Sequence, residues 1–225
     1  MKLTILMPAL NEEEGIGKTI QAIPFQTLQK MGYEIEVLVV DGKSEDKTRE
    51  IAQKMGAKVI ISERGYGRQY KVGFKKAKGE IIVTADSDNS YPMSQIPELL
   101  EIFQKENLDF LTTNRFAFLE KEAMRSLNWI GNKILTFFLN LLFGLNLKDS
   151  QSGMWVIRKS ALKKLNLKSN DMPFSQELKI EAFKKLKAKE IPSSYKKRLG
   201  QTKLKSFRHG LINFLQLFKK RIEML

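Results

Sequence analysis

The sequence predicts an α/β fold in which a mostly parallel sheet carries helices on both faces. Short apolar runs alternate with amphipathic helical stretches through the first half of the 225 residues. These runs are apolar throughout, which is typical of parallel strands buried on both faces. Polar motifs follow three of the runs, as expected where the strands of a parallel sheet end.

Each element of the first half ends at a residue that interrupts strands or helices. The first strand ends at Pro8, the second at Asp41 and the fourth at Asp86, while Gly56 and Gly79 follow helices. The predicted strands are residues 3–7, 35–40, 59–62, 80–85 and 110–113, and the predicted helices are residues 12–29, 46–55, 70–77 and 96–106.

The second half departs from this alternation. It contains an apolar helix, a strand and a second helix, predicted over residues 127–147, 153–157 and 174–186, and then a basic loop after Ile191 and Pro192. We therefore predict a main α/β domain over residues 1–205, which includes the helix 127–147. A basic amphipathic C-terminal helix follows over residues 206–225.

Composition excludes several kinds of site. The chain has no cysteine, so a disulfide scaffold and thiolate-bound zinc are excluded. Its one histidine, His209, rules out a metal site built from several histidines.

Positive charge is concentrated towards the C-terminus. Residues 184–225 hold 13 Lys+Arg and 2 Asp+Glu, a surplus of 11 within a net charge of +14 for the chain. The C-terminal part is expected to contact nucleic acid, an anionic membrane surface or substrate phosphates. The sequence carries no RNP signature, zinc finger or interleaved aromatic residues, so we expect no nucleic acid partner.

The helix 127–147 has two interpretations. Asparagines and a lysine interrupt it, so we do not expect it to span a membrane. Its polar residues gather on one arc opposite a broad apolar face, which fits either a core helix or a helix lying in the membrane interface. Residues 1–9 predict no signal peptide, and we expect a cytoplasmic protein that associates peripherally with the cytoplasmic face of a membrane.

Two carboxylates close the fourth predicted strand. Asp86 and Asp88 stand one residue apart, an arrangement that can share a hard divalent cation such as Mg²⁺ or Mn²⁺ and leave positions for substrate phosphates. Because parallel strands end at one edge of a sheet, Asp41 and the loop 11–14 are expected beside them.

Several motifs in order carry a family resemblance. They are Pro8–Glu13, Val40–Asp46, Gly65–Arg68 with Gly73, Asp86–Asp88, Asp149–Gly153, Glu177 and Arg198–Lys203. The set resembles the inverting family-two glycosyltransferases of the GT-A fold, a Rossmann-like mostly parallel sheet. Within that family the chain is similar to dolichol-phosphate and other polyprenyl-phosphate sugar synthases. It departs from their pattern at Leu10, Gly42, Lys43 and Ser90, where the family usually has Tyr, Asp, Gly and Gln.

The resemblance implies roles for particular residues. Nucleotide-sugar binding is implied for Pro8, Ala9, Asn11, Glu12, Asp41, Gly67, Arg68, Asp86, Arg198 and Lys203. The metal ligands would be Asp86 and Asp88, with Ser90 as a third candidate. Catalytic roles fall to Asp88, Arg115 and Arg125, the two arginines binding the acceptor phosphate. An acceptor or sugar pocket would include Asp149, Gln151, Ser152 and Glu177. The alternative is a structural role, in a turn for Asp149 and Gln151 and as a charge at a helix N-terminus for Glu177.

These residues predict transfer of a hexose, with inversion at C1, from a nucleotide-diphosphate sugar of the GDP-mannose or UDP-glucose type to a polyprenyl or dolichyl phosphate. A lipid phosphate is already anionic and needs no strong general base, whereas a sugar hydroxyl normally does. One alternative is the same fold acting on a soluble, protein-linked or glycan-linked sugar hydroxyl. Nucleotidyl transfer and a basic nucleic-acid-binding protein are more distant alternatives. Expected partners are the donor, the lipid phosphate, the membrane surface and a separate membrane protein.

Overall fold

A computed structural model describes residues 1–202 and 206–224. In this part of the chain a seven-stranded sheet has the order β3-β2-β1-β4-β6-β5-β7. The strands are β1 (Lys2–Ala9), β2 (Glu34–Asp41), β3 (Lys58–Ile61), β4 (Ile81–Thr84), β5 (Phe110–Leu119), β6 (Trp155–Arg158) and β7 (Ala188–Tyr195). The helices are α1 (Ile16–Gln21), α2 (Phe25–Lys30), α3 (Thr48–Lys54), α4 (Tyr66–Lys76), α5 (Ile96–Lys105), α6 (Ser126–Phe143), α7 (Phe174–Lys185) and α8 (Ser206–Glu223).

The sheet is mostly parallel, as predicted. β1 pairs in parallel with β2 and β4, β2 with β3, and β5 with β7, while β6 runs antiparallel between β4 and β5. The register sets Ala9 beside Asp41 and Leu6 beside Thr84. The polar segments that follow β1, β2 and β4 therefore meet at one edge of the sheet.

Helices cover both faces of the sheet. Leu3, Ile5 and Met7 of β1 point to one face, where they share a core with α1 and α5. Leu6 points to the opposite face and packs with residues of α4 and α7, among them Tyr70. Both sides of β1 are therefore buried, which explains why its sequence is apolar without alternation.

Two local predictions were wrong. The helix predicted over residues 12–29 is two short helices, α1 and α2, because Pro24 lacks an N–H and disfavours a helical residue before it. The strand β7 was not predicted, and the predicted basic loop begins only after it, at Lys196. Pro192 lies within that strand. Its missing N–H is tolerated because β7 is an edge strand, so that position need not donate a hydrogen bond to a further strand.

α6 and α8 form a pair that packs on the rest of the chain along one side only. Leu135, Leu139 and Phe143 of α6 share a buried cluster with Leu217 of α8. α6 ends at Phe143, four residues earlier than predicted, because Gly144 adopts a left-handed backbone with φ 60°. In the described residues no helix has both the length and the hydropathy needed to cross a bilayer.

The outer sides of α6 and α8 form an exposed apolar surface. Its members are Leu127, Trp129, Ile130, Ile134, Phe137 and Leu141 of α6, and Phe207, Leu211, Ile212, Leu215, Phe218 and Ile222 of α8. One side of α6 is therefore part of a core, and the other side is apolar and exposed. We call these twelve residues the apolar surface.

Candidate functional site

A cavity of about 1260 Å³ opens at the edge of the sheet where β1, β2 and β4 end. One end is lined by Pro8, Ala9, Gln69, Asp86, Asp88 and Arg198. The other end lies between the first halves of α6 and α8 and is lined by Arg115, Arg125, Leu127, Leu135, Gln151 and Asn213. The second end also has apolar walls, which include Ile134, Phe207, Leu211 and Phe214, and the two ends form one continuous space.

Asp86 and Asp88 lie side by side beyond β4. The backbone N–H and the hydroxyl of Ser90 donate to Asp88 Oδ1 over 3.1 and 2.5 Å, and the Tyr66 hydroxyl donates to Asp86 Oδ1 over 3.3 Å. Burial raises the pKa of Asp86 to about 7, and the neighbouring charge of Asp88 adds to this rise. A bound cation would offset both the burial of Asp86 and the repulsion from Asp88.

The donor set fits a hard cation that shares substrate oxygens. Among residues 1–202 and 206–224, no group of three or more His, Cys, Asp or Glu side chains is placed to hold a metal ion. Mg²⁺ and Mn²⁺ prefer oxygen ligands, and Mg²⁺ commonly uses one or two carboxylates together with substrate phosphates. Asp86 and Asp88 would hold the cation in this way, and Ser90 is engaged as the hydrogen-bond donor to Asp88.

Arg198 joins the loop after β1 to Asp88. Its Nη2 lies 2.7 Å from both carboxylate oxygens of Glu12, and its Nη1 lies 3.5 Å from Asp88 Oδ2. Backbone bonds from Leu199 to Asp88 and from Lys196 to Ser90 hold the segment in place. Burial would lower the pKa of Arg198, but Asp88 and Glu12 raise it above its ordinary value. Lys203, the other predicted diphosphate ligand, lies outside the described residues.

Asp41 does not reach the cavity. Its buried carboxylate accepts hydrogen bonds from the Ser44 backbone N–H over 2.9 Å, from the Ser44 hydroxyl, and from Arg49 Nη1 over 3.0 Å. These partners use both of its oxygens to hold the loop after β2. The nucleotide-binding role predicted for Asp41 is not supported by this placement.

Four more predicted nucleotide ligands, Asn11, Glu12, Gly67 and Arg68, lie outside the cavity wall. Asn11 accepts from the Glu45 N–H over 2.8 Å, and its own N–H donates to Ser44 Oγ over 2.9 Å, so it ties two loops together. A Cβ at Gly67 would stand 2.6 Å from the Ser169 carbonyl oxygen, so this glycine permits close packing. Arg68 is exposed on α4.

Arg115 lines the cavity, and Asp149 holds it there. The Arg115 Nε and Nη2 donate to Asp149 Oδ2 and Oδ1 over 2.7 and 3.0 Å. Burial would raise the pKa of Asp149, but the charge and hydrogen bonds of Arg115 lower it to about 2. The Lys179 Nζ donates to the Asp149 carbonyl oxygen over 2.5 Å, and burial lowers the pKa of Lys179 to about 8. Asp149 is therefore the buried partner of a cavity residue.

Of the remaining predicted residues, two line the cavity and two are buried in the protein interior. Arg125 is exposed at the start of α6, and Gln151 contacts Asn213 Nδ2 over 3.2 Å; both line the cavity. Ser152 is buried behind the wall, hydrogen-bonded to Thr113 over 2.8 Å. Glu177 is buried on α7, outside the wall, where its carboxylate accepts from the N–H groups of residues 168 and 169. The pocket role predicted for Glu177 is not supported by this placement.

Sequence reasoning missed Gln69, Tyr66 and Asn213. Tyr66 lies within the motif Gly65–Arg68 and Gln69 follows it directly, but the resemblance assigned a role only to Gly67 and Arg68. Asn213 lies on α8, and nothing local distinguishes it from a solvated helix residue. The positions of these three side chains depend on packing between distant segments.

The chain belongs to glycosyl transferase family 2, whose family model matches residues 4–166. It is 36% identical over 215 residues to a low-salt glycan biosynthesis hexosyltransferase of Haloferax volcanii, covering 92% of this chain and 51% of that protein. It is 32% identical over 209 residues to a dolichyl-phosphate hexose transferase of the same organism, covering 92% and 89%. A dolichol-phosphate mannosyltransferase of Pyrococcus furiosus is 28% identical over 219 residues, covering 91% and 60%. The chain thus spans about half the length of the first of these relatives.

Solved structures confirm the GT-A fold. A glucosyl-3-phosphoglycerate synthase from Mycobacterium tuberculosis, in complex with Mn²⁺, UDP-glucose and phosphoglyceric acid, superposes with a TM-score of 0.78. The match covers 98% of this chain and 79% of that one at 20% identity, so it bears on fold alone. The predictions of a family-two glycosyltransferase and of its fold are confirmed.

Proposed function

We propose that this chain transfers a hexose from a nucleotide-diphosphate sugar to a polyprenyl phosphate, with inversion at C1, at the cytoplasmic face of a membrane. The observation that carries the proposal is the continuity of the cavity. One space joins the paired carboxylates Asp86 and Asp88 to two arginines, Arg115 and Arg125, and then to apolar walls between α6 and α8.

The donor is assigned to the end of the cavity that is lined by Arg198. A cation held by Asp86 and Asp88 would supply positive charge to the donor diphosphate. Arg198 lies beside the same carboxylates and can contact a diphosphate that enters between them. This charge stabilises the nucleoside diphosphate as the leaving group when the bond from C1 to the diphosphate oxygen breaks.

The acceptor phosphate is assigned to Arg115 and Arg125. Asp149 occupies two N–H groups of Arg115 and fixes the plane of its guanidinium, which leaves further N–H groups for a ligand. A phosphate oxygen of the lipid forms the new bond to C1 from the side opposite the departing diphosphate. The phosphate is anionic at neutral pH, so the step needs no histidine base.

The apolar surface is assigned to the membrane. Leu215 and Ile222 of α8 are 59% and 72% exposed, and Phe137 of α6 is 62% exposed. Arg208, Lys219 and Arg221 are exposed on the same helix as the first two. Apolar side chains beside basic ones favour an interface helix on anionic lipid, with each basic residue near the surface adding about 1 kcal/mol.

The relatives support this choice of acceptor. Two of them carry names that specify dolichyl or dolichol phosphate. A polyprenyl phosphate presents its phosphate at the membrane surface, where the apolar surface would place the cavity. Arg115 and the apolar walls then lie on the lipid side of the donor.

The decisive experiment is a metal-dependent donor and acceptor screen. The chain is incubated with Mn²⁺ or Mg²⁺, labelled GDP-mannose or UDP-glucose, and dolichyl or undecaprenyl phosphate in vesicles. We expect label in the organic phase, lost on chelation. Label found only in aqueous transfer products would indicate a sugar hydroxyl acceptor, and release of a hexose 1-phosphate would indicate nucleotidyl transfer; either result contradicts the proposal.

A flotation assay tests the membrane part separately. Leu215→Asp should abolish binding to vesicles that contain anionic lipid. Ile61→Asp is the matched control, because Ile61 is 61% exposed but lies on β3, at the opposite edge of the sheet from β7. Equal binding by both variants would contradict the assignment, and binding only in the presence of a membrane protein would favour a protein partner instead.

A further inference from the structure

Gln69 presents a hydrogen-bond acceptor of fixed orientation to the donor end of the cavity. Its side chain is 4% exposed and lines the cavity wall. Its Nε2 lies 2.8 Å from the Ala9 carbonyl oxygen and 2.8 Å from the Val40 carbonyl oxygen. An amide nitrogen has two N–H groups, and both are used here. The Oε1 atom is therefore left to accept, and the amide cannot flip without setting oxygen against two carbonyls.

Gln69 lies where the nucleoside of a bound donor would extend. Asp86 and Asp88 follow β4, Ala9 ends β1, and Val40 is near the end of β2. These strands are neighbours in the order β2-β1-β4, about 4.8 Å apart from one to the next. A diphosphate at the aspartates therefore directs its nucleoside across the end of β1 towards Gln69.

The carboxylate of Asp41, which the sequence predicted for nucleotide binding, does not compete for this role. Asp41 lies outside the cavity wall and accepts hydrogen bonds from Ser44 and Arg49, and Gly42 has no side chain. A Cβ at Gly42 would lie 3.2 Å from Gln69 Nε2 and 3.4 Å from Oε1. Because residue 42 is a glycine, no side chain there displaces the Gln69 amide from its present position.

We propose that Gln69 Oε1 accepts the N3–H of uracil, which makes the chain selective for uridine-diphosphate sugars over guanosine-diphosphate sugars. Uracil has one ring N–H, flanked by carbonyls, and one acceptor satisfies it. Guanine presents two adjacent donors, N1–H and the amino group, which a carboxylate can pair through two oxygens. A single amide oxygen would leave one guanine donor unpaired. This inference rests on the proposed function, because it requires a nucleotide-sugar donor.

The test on the wild-type chain is calorimetric binding of UDP, GDP and N3-methyl-UDP with Mn²⁺. We expect UDP to bind more tightly than GDP, and N3-methylation to weaken binding by about tenfold, the usual range for one hydrogen bond being severalfold to tenfold. Equal affinity for UDP and N3-methyl-UDP would overturn the inference, as would tighter binding of GDP. If neither UDP nor GDP bound, the proposed function and this inference would both fail.

Variants then assign the contact to Gln69. Gln69→Leu should weaken UDP binding and bind UDP and N3-methyl-UDP equally. Gln53→Leu, at an exposed position of α3, is the matched control and should retain the tenfold preference. If Gln69→Leu is unfolded by thermal denaturation, the ligand series on the wild type still decides the outcome. Loss of affinity for 2′-deoxy-UDP but not for N3-methyl-UDP would assign Gln69 to the ribose and overturn the inference.

Discussion

Arg115 and Asp149 form a buried ion pair through two parallel hydrogen bonds, although they are 34 residues apart in sequence. The Arg115 backbone N–H adds a third bond, 3.1 Å to Asp149 Oδ2. Asp149 is in turn held through its carbonyl oxygen by Lys179 and through its N–H by Glu190. The guanidinium that reaches the cavity is therefore positioned by a network lying behind the wall.

Asp149→Asn should destabilise the chain strongly. The substitution leaves the Arg115 charge buried without its counter-ion, and breaking a buried pair in this way typically costs about 3–5 kcal/mol. Urea unfolding measures the effect. Asp109→Asn is the control, because Asp109 pairs with Arg158 over 3.6 Å at a partly exposed site, where about 0–1 kcal/mol is expected. Similar losses in both variants would contradict the prediction.

Stability should fall in acid partly because Asp149 takes up a proton. Its pKa is about 2 in the folded chain, below its ordinary value of 3.8, so its contribution is fully present above about pH 4 and is lost as the pH falls towards 2. We expect urea midpoints measured between pH 5 and pH 2 to fall less steeply in Asp149→Asn than in the wild type. Parallel pH profiles would show that Asp149 does not titrate as described.

Lys220→Ala should loosen α8 while Lys219→Ala should not. The Lys220 Nζ is buried, 2.6 Å from Glu181 Oε1 and 3.4 Å from Glu177 Oε1, and it donates to the Asn166 carbonyl oxygen over 2.9 Å. Removing it leaves two buried carboxylates without this cation, at a cost of about 3–5 kcal/mol. Lys219 is exposed, and its loss should change stability by less than about 0.5 kcal/mol. Hydrogen exchange along α8 measures both, and equal protection would contradict the prediction.

Asp88→Asn should cut turnover by far more than it changes folding stability. The amide keeps the size of the side chain but removes one of the two carboxylates placed to hold the cation. Excess chelator should abolish wild-type activity, and added Mn²⁺ should restore it. Asp109→Asn, away from the cavity, should respond to chelator and Mn²⁺ as the wild type does. Wild-type turnover in Asp88→Asn, or activity that survives chelation, would contradict the metal assignment.

The strands around the cavity were predictable because they are local patterns. An uninterrupted apolar run that ends at Pro8 or Asp86 specifies a buried strand and the point where it stops. That pattern also placed Asp86 and Asp88 at the correct edge of the sheet. β7 was missed because a proline such as Pro192 usually interrupts a strand. Only the pairing of β7 with β5 shows that Pro192 lies in an edge strand, where a proline is accommodated.

By itself, the sequence determined the fold class, the positions of most strands and the residues that could carry charge into the site. Burial periodicity and breaking residues act over a few neighbours, so they can be read along the chain. Only the tertiary structure decided how the polar side chains are used. Asp41 and Glu177 were predicted to bind ligands, yet each is hydrogen-bonded to internal partners, whereas Gln69, with no predicted role, lines the cavity. These outcomes depend on which hydrogen-bonding groups are brought together from distant segments when the chain packs. A buried polar group needs a hydrogen-bond partner, and the tertiary structure determines which partner is within reach.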